Sequence, residues 1–170
     1  MNNFPLLLGN VCSLLAMGSD AISAKQKTPR GILLVQCVSQ VFYIIGAVVL
    51  KGYSGAVQNA VSIVRNLAAA FKVGGKVLEW ASVVAGVVLG AVFNNRGFLG
   101  WLPIVANLQY SLVVFRCGDN GRMLKISFLV AVALFAFFNG VILNFVGVAA
   151  NLVVLAMTGY ELWKTRKKKQ

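Results

Sequence analysis

The chain has 170 residues, 59% of them hydrophobic and 12% charged, with a mean hydropathy of +0.81. That balance excludes a water-soluble globular domain. Sixteen basic residues against four acidic ones give a formal charge of +12, yet histidine is absent and the three cysteines are scattered. The composition therefore offers no metal set and no disulfide framework, and nothing in it calls for a cofactor.

Seven apolar runs follow one another with little polar sequence between them. The first covers residues 4–24 and reads as a retained span, since it lacks a basic leader and carries Asp20 near its far end. After the turn KQKTPR, where Pro29 suits a helix start, come the second run at 31–50 and the third at 53–71. The fourth, 77–93, holds Gly86 and Gly90 at the spacing that lets two helices approach closely. The fifth, 98–115, contains Pro103, Asn107 and Gln109. The sixth, 123–138, is short, and Asn139 and Gly140 are expected to make the hairpin into the seventh, 141–163.

Runs of this length predict helices, because every backbone polar group in a bilayer must be satisfied within the segment. The expected fold is all-α: a polytopic membrane protein of seven transmembrane helices, with residues 1–170 forming a single membrane domain. With the N-terminus outside, the inward segments collect Lys25, Lys27, Arg30, Lys72, Lys76, Arg116, Arg122, Lys125, Lys164, Arg166, Lys167, Lys168 and Lys169, against Lys51 and Arg96 outside. The bias of basic residues to one side places the C-terminus in the cytoplasm. The tail, 164–170, is expected to contact anionic lipid, and no folded basic surface suggests a nucleic-acid partner. Trp80, Trp101 and Trp163 lie near run ends and read as interface anchors.

The sequence GAVQNAVSIVRNL at 55–67 returns as GVILNFVGVAANL at 140–152. In each copy a glycine, an asparagine, a small residue and a second asparagine fall at i, i+4, i+7 and i+11, one face of a helix. This duplication predicts two parallel three-helix bundles, 4–71 and 98–163, joined by a linker helix at 77–93.

Two three-helix bundles around a linker, with an asparagine deep in the third helix of each, resemble the PQ-loop or MtN3-like superfamily, which includes the sugar-transporting SWEETs. The GAVQNAVSIVRNL stretch, the lysine-flanked linker and the basic tail are similar to YgjV-type bacterial inner-membrane proteins. The resemblance implies a solute-facilitator scaffold in the bacterial inner membrane, with Asn66 and Asn151 facing a central cavity. The chain has no Pro-Gln dipeptide, and the scaffold by itself names no solute.

The candidate substrate-binding residues are Asn66, Asn151, Asn59, Asn144 and Arg65. A carboxamide in a bilayer must find a partner, which can be a polar solute or a neighbouring helix. Arg65 is either an anion-attracting cavity residue or half of an ion pair with Asp20 or Glu79, with snorkelling to the surface as a third fate. The four acids are not paired on any helix face and no Gly-x-Ser-x-Gly occurs, so an enzyme is not expected. The sequence supports a permease for a small polar solute, facilitated or ion-coupled. The alternative is a receptor-like or assembly component in which the amides only hold helices together, and a homo-oligomer is open under either reading.

Overall fold

In oil the backbone can satisfy itself only by helix or closed barrel, and the computed structural model, in which residues 4–167 are described, takes the helical route throughout. Seven α-helices follow in order: α1 (Phe4–Lys25), α2 (Pro29–Val49), α3 (Tyr53–Phe71), α4 (Gly75–Val92), α5 (Trp101–Cys117), α6 (Gly121–Val141) and α7 (Phe145–Lys167). A 3₁₀ turn, Gly97–Gly100, leads into α5, and no strand occurs among the described residues. The starts of α2 and α6 are capped by side chains. The Thr28 hydroxyl accepts from the Gly31 amide with Pro29 at the first helical position, and Asn120 Oδ1 accepts from the Arg122 and Met123 amides. Lys168 and Lys169 of the basic tail lie outside the described residues.

Six of the seven helices are long and apolar enough to cross a membrane; α3 is the one that is not. Its 19 residues rise about 28 Å, enough for a bilayer core, so composition and not length sets it apart. Ser54, Gln58, Asn59, Ser62, Arg65 and Asn66 all point inward and are buried, while Val64, Leu67 and Phe71 are exposed on the opposite side. The helix is amphipathic with its polar face turned to the protein interior, which a hydropathy average reads as weakness.

The hairpin expected at Asn139 and Gly140 lies further on. Helix α6 continues through both residues, and the turn is Ile142–Leu143–Asn144. Leu143 takes a left-handed φ of +59°, its amide bonds the Gly140 carbonyl, and the Asn144 amide bonds the Asn139 carbonyl, a Schellman closure. Asn144 then caps α7 through Oδ1 to the Gly147 amide at 2.9 Å. A glycine inside a well-packed bilayer helix does not stop it, whereas an asparagine able to cap the next one does.

The α2–α3 turn has the same construction. Lys51 sits at φ +57°, with bonds from its amide to the Val48 carbonyl and from the Gly52 amide to the Ala47 carbonyl. The two hairpins superpose in chain position with a shift of 92 residues: Pro29 onto Gly121, Val49 onto Val141, Lys51 onto Leu143 and Tyr53 onto Phe145. This corrects the repeat read from the sequence by two helical turns. At the shift of 92, Gly55-x-x-x-Asn59 falls on Gly147-x-x-x-Asn151, and Asn66 falls on Thr158, not on Asn151. Gly140 and Asn144 do not share a helix face with Gly147 and Asn151, so the four-residue stripe exists only in α3.

The helices close into a ring, α1–α2–α3–α5–α6–α7 and back to α1, while α4 lies outside against α3 and α5. Gly86 and Gly90 make that outer contact possible. The Gly86 carbonyl accepts from Gln58 Nε2 at 2.6 Å, and a Cβ on Gly90 would run into Gln58 and Ile104. One end of the bundle gathers Arg30, Lys72, Lys76 and Arg116 around an open groove, with Lys72 paired to Asp119 at 3.2 Å. Trp80 and Trp163 lie towards this end, Trp101 lies towards the other, and all three are exposed on the bundle's outer surface.

Candidate functional site

Because α3 turns its polar face inward, the ring encloses polar groups where a membrane bundle ordinarily packs aliphatic ones. A cavity of about 60 Å³ lies at the centre, lined by all six ring helices and not by α4. That is room for a few waters or a solute of a handful of heavy atoms. One wall carries Ser13 and Asp20 from α1 with Gln40 and Tyr43 from α2; the next carries Asn59, Ser62 and Arg65 from α3 with Asn107 and Tyr110 from α5. The rest is largely Phe128, Phe135 and Phe138 of α6, with Asn139, Asn144 and Asn151.

Arg65 is completely buried and does not snorkel. It pairs with neither Asp20 nor Glu79; the single ion pair among the described residues is the exposed Lys72–Asp119. Its guanidinium is held by neutral groups: Nε donates to Asn66 Oδ1 at 2.9 Å, and Nη1 donates to Asn107 Oδ1 and to the Ser111 hydroxyl at 2.9 Å. The Tyr110 ring lies 4.7 Å below it, a cation–π contact in a desolvated setting. Nη2 is left with no hydrogen-bond partner in the protein. A charge at this depth costs at least about 2.5 kcal/mol, and dipoles offset that without neutralising it.

The partners of Arg65 belong to a continuous network. Asn107 receives the Ser62 hydroxyl at 2.8 Å and donates to Gln58 Oε1 at 2.6 Å, and Gln58 reaches α4. Asn66 donates to Gln36 Oε1 at 3.3 Å, which also accepts the Tyr110 hydroxyl at 2.8 Å. The network ties α2, α3, α4 and α5 together and fixes the guanidinium plane.

Across the cavity, Tyr43 stands between Asp20 Oδ2, 3.0 Å away, and Asn151 Oδ1, 3.2 Å away. Asp20 is buried, and its Oδ1 has no partner. The Ser39 hydroxyl beside the carboxyl gives its proton to the Gln36 carbonyl. Gln40 Oε1 and Asn151 Nδ2 are likewise buried without partners. Four cavity-lining residues thus keep a bare polar atom: acceptors at Asp20 and Gln40, donors at Arg65 and Asn151.

Among the residues singled out from sequence, Arg65, Asn59, Asn144 and Asn151 line the cavity, and Asn66 does not. The amide of Asn59 donates back to the Gly55 carbonyl at 2.9 Å, and that of Asn144 donates to the Ser13 hydroxyl at 2.9 Å. Asn66 lies behind Arg65, with both ends of its amide engaged by protein. Sequence reasoning missed Asp20, Gln40, Tyr43 and Asn107 as a set. The available signal was that polar residues recur inside apolar runs on α1, α2 and α5, not only on α3.

A family model described as a bacterial inner membrane protein, Imp-YgjV, matches residues 7–169. No curated protein and no solved structure matches the chain. The match covers the length of the ring and every residue that lines its cavity, and on that ground the chain belongs to the Imp-YgjV family of bacterial inner membrane proteins.

Proposed function

We propose that this inner-membrane protein carries a small polar solute across the bilayer, binding it in the cavity enclosed by α1–α3 and α5–α7. The observation that carries this reading is that four residues lining one central cavity each keep an unpartnered polar atom. Buried polar groups in oil ordinarily satisfy each other, and a protein needing only glue between helices has no use for bare donors and acceptors around a cavity. The two hairpins related by the 92-residue shift, each preceded by one helix, support a parallel arrangement of two three-helix units with α4 as linker. Relative rocking of such units about a shared site is a known route to alternating access. The basic end of the bundle faces the cytoplasm under this reading, following the bias of Lys and Arg. No site for a nucleotide is needed, and the transport is facilitated or ion-coupled.

A second reading, a non-transporting receptor-like or assembly component, draws on Asn66, whose amide is spent entirely on Arg65 and Gln36. Purified protein reconstituted into liposomes loaded with a metabolite mixture separates the two. Transport requires that at least one small polar compound crosses faster than in protein-free liposomes. If none does, in either orientation and with or without a proton or sodium gradient, the second reading stands.

A further inference from the structure

The cavity is lined by one buried carboxyl and one buried guanidinium that do not meet. Asp20 and Arg65 are the only charged side chains among the buried described residues. Both line the same space, each keeps one atom without a partner, and no ion pair joins them. They also lie at similar depth: Asp20 is five residues from the end of α1 at Lys25, and Arg65 is six from the end of α3 at Phe71, about 8 and 9 Å along two helices that each pack antiparallel to α2 and so run parallel to each other and end on the same face. Their helices are not neighbours, since α2 stands between them.

From this we infer that the solute is a small zwitterion, one molecule bearing both an anionic and an ammonium group, taken by Arg65 and Asp20 respectively; the inference rests on the transport reading above. The anionic group meets Arg65 Nη2, whose plane is set by Asn66, Asn107 and Ser111. The ammonium meets two bare acceptors on adjacent helices, Asp20 Oδ1 and Gln40 Oε1. Tyr43, bonded to Asp20 Oδ2, occupies one carboxyl oxygen and leaves Oδ1 as the one without a partner. The apolar body lies against the phenylalanines of α6.

A purely anionic solute would compensate Arg65 and leave the Asp20 carboxyl unpaired; a cation would do the reverse. An uncharged polyol could fill the hydrogen bonds and leave both charges bare. A charge removed from water without a partner is costly in each case. Only a solute of both signs satisfies both ends, and the cavity, at about 60 Å³, limits it to a few heavy atoms between its charges.

The test is calorimetric titration and thermal shift of the full chain in detergent with glycine, β-alanine and γ-aminobutyrate, beside acetate, methylammonium and glycerol as single-feature probes. At least one zwitterion is expected to bind ten-fold or more tighter than every single-feature probe. Asp20→Asn, which keeps the acceptor for Tyr43, is expected to lower zwitterion affinity at least ten-fold while its melting temperature stays near that of the wild type. Arg65→Gln provides the complementary loss, and Gln40→Leu offers a variant outside the Arg65 network should that one fail to fold. Glycerol or acetate binding as well as any zwitterion, or Asp20→Asn binding unchanged, overturns the proposal. Liposome flux measured in parallel keeps the two claims apart: flux of an uncharged solute sinks the zwitterion and spares transport, whereas tight zwitterion binding with no flux of any compound sinks transport and spares the site.

Discussion

The guanidinium of Arg65 on α3 is held by the amide oxygen of Asn107 on α5, so a buried cation rests on a dipole where a carboxylate would ordinarily stand. Asn107 is also the point where Ser62 and Gln58 join the network. Its replacement by leucine strands three polar partners at once, each left-over buried group costing about 1–3 kcal/mol. The expected result for Asn107→Leu is a loss of roughly 3 kcal/mol or more in unfolding free energy, read by denaturant titration in detergent. A loss below about 1 kcal/mol would mean the network does not hold the bundle together.

Asn66 and Asn151 should behave differently, although the sequence places them in matching positions. Asn66 engages protein at both ends of its amide, so Asn66→Ala is expected to cost about 2 kcal/mol of stability. Asn151 Oδ1 shares the single Tyr43 hydroxyl proton with Asp20 Oδ2, and its Nδ2 has no partner. Asn151→Ala should therefore change melting temperature less than Asn66→Ala and weaken solute-induced stabilisation more. Equal effects of the two substitutions on both readouts would contradict the geometry.

Gly90 faces Gln58 and Ile104 with no space for a side chain. Leucine at this position overpacks the seam where α4 meets α3 and α5, at a cost of about 1–3 kcal/mol. The expected outcome for Gly90→Leu is a lower melting temperature and faster proteolysis in the α3–α4 connection, with Gly18→Leu, at an open position, as the neutral control.

How much of this was legible in the sequence follows from what bilayer helices hide and show. Six of the seven helices were legible from length and apolarity, α3 from the spacing of its glycine, serine and asparagines along one face, and Thr28 with Pro29 marks a start by its own chemistry. The repeat was legible in outline only. Identity of letters aligned Asn66 with Asn151, whereas the backbone aligns Asn59 with Asn151, because the Schellman turns at Lys51 and Leu143 set the register and neither carries glycine at its left-handed position. A left-handed leucine leaves no trace in composition. The site was legible at Arg65 and three of the asparagines, which stand out as polar letters in an apolar run. It was not legible at Asp20, Gln40 and Tyr43, since their meeting with α3 and α7 is a matter of ring closure between α1 and α7, a contact that no local pattern encodes.

Orientation is checked by fusing a reporter active only in the cytoplasm after the last residue and, separately, one active only in the periplasm. The basic bias leads us to expect signal from the first alone. Introducing four lysines at the α4–α5 connection, near Arg96, should reduce that signal by competing for the inside.

Thiol accessibility reads out whether water and solute reach the space inside the ring. With Cys12, Cys37 and Cys117 replaced by alanine, Ser62→Cys places a thiol on the cavity wall and Val64→Cys places one on the exposed apolar face two residues away. In sealed, oriented vesicles a membrane-impermeant thiol reagent is expected to modify Ser62→Cys from one side while Val64→Cys stays unreacted, and a bound solute is expected to slow the modification. Ser62→Cys that remains inert from both sides, in a variant of wild-type stability, would contradict that access.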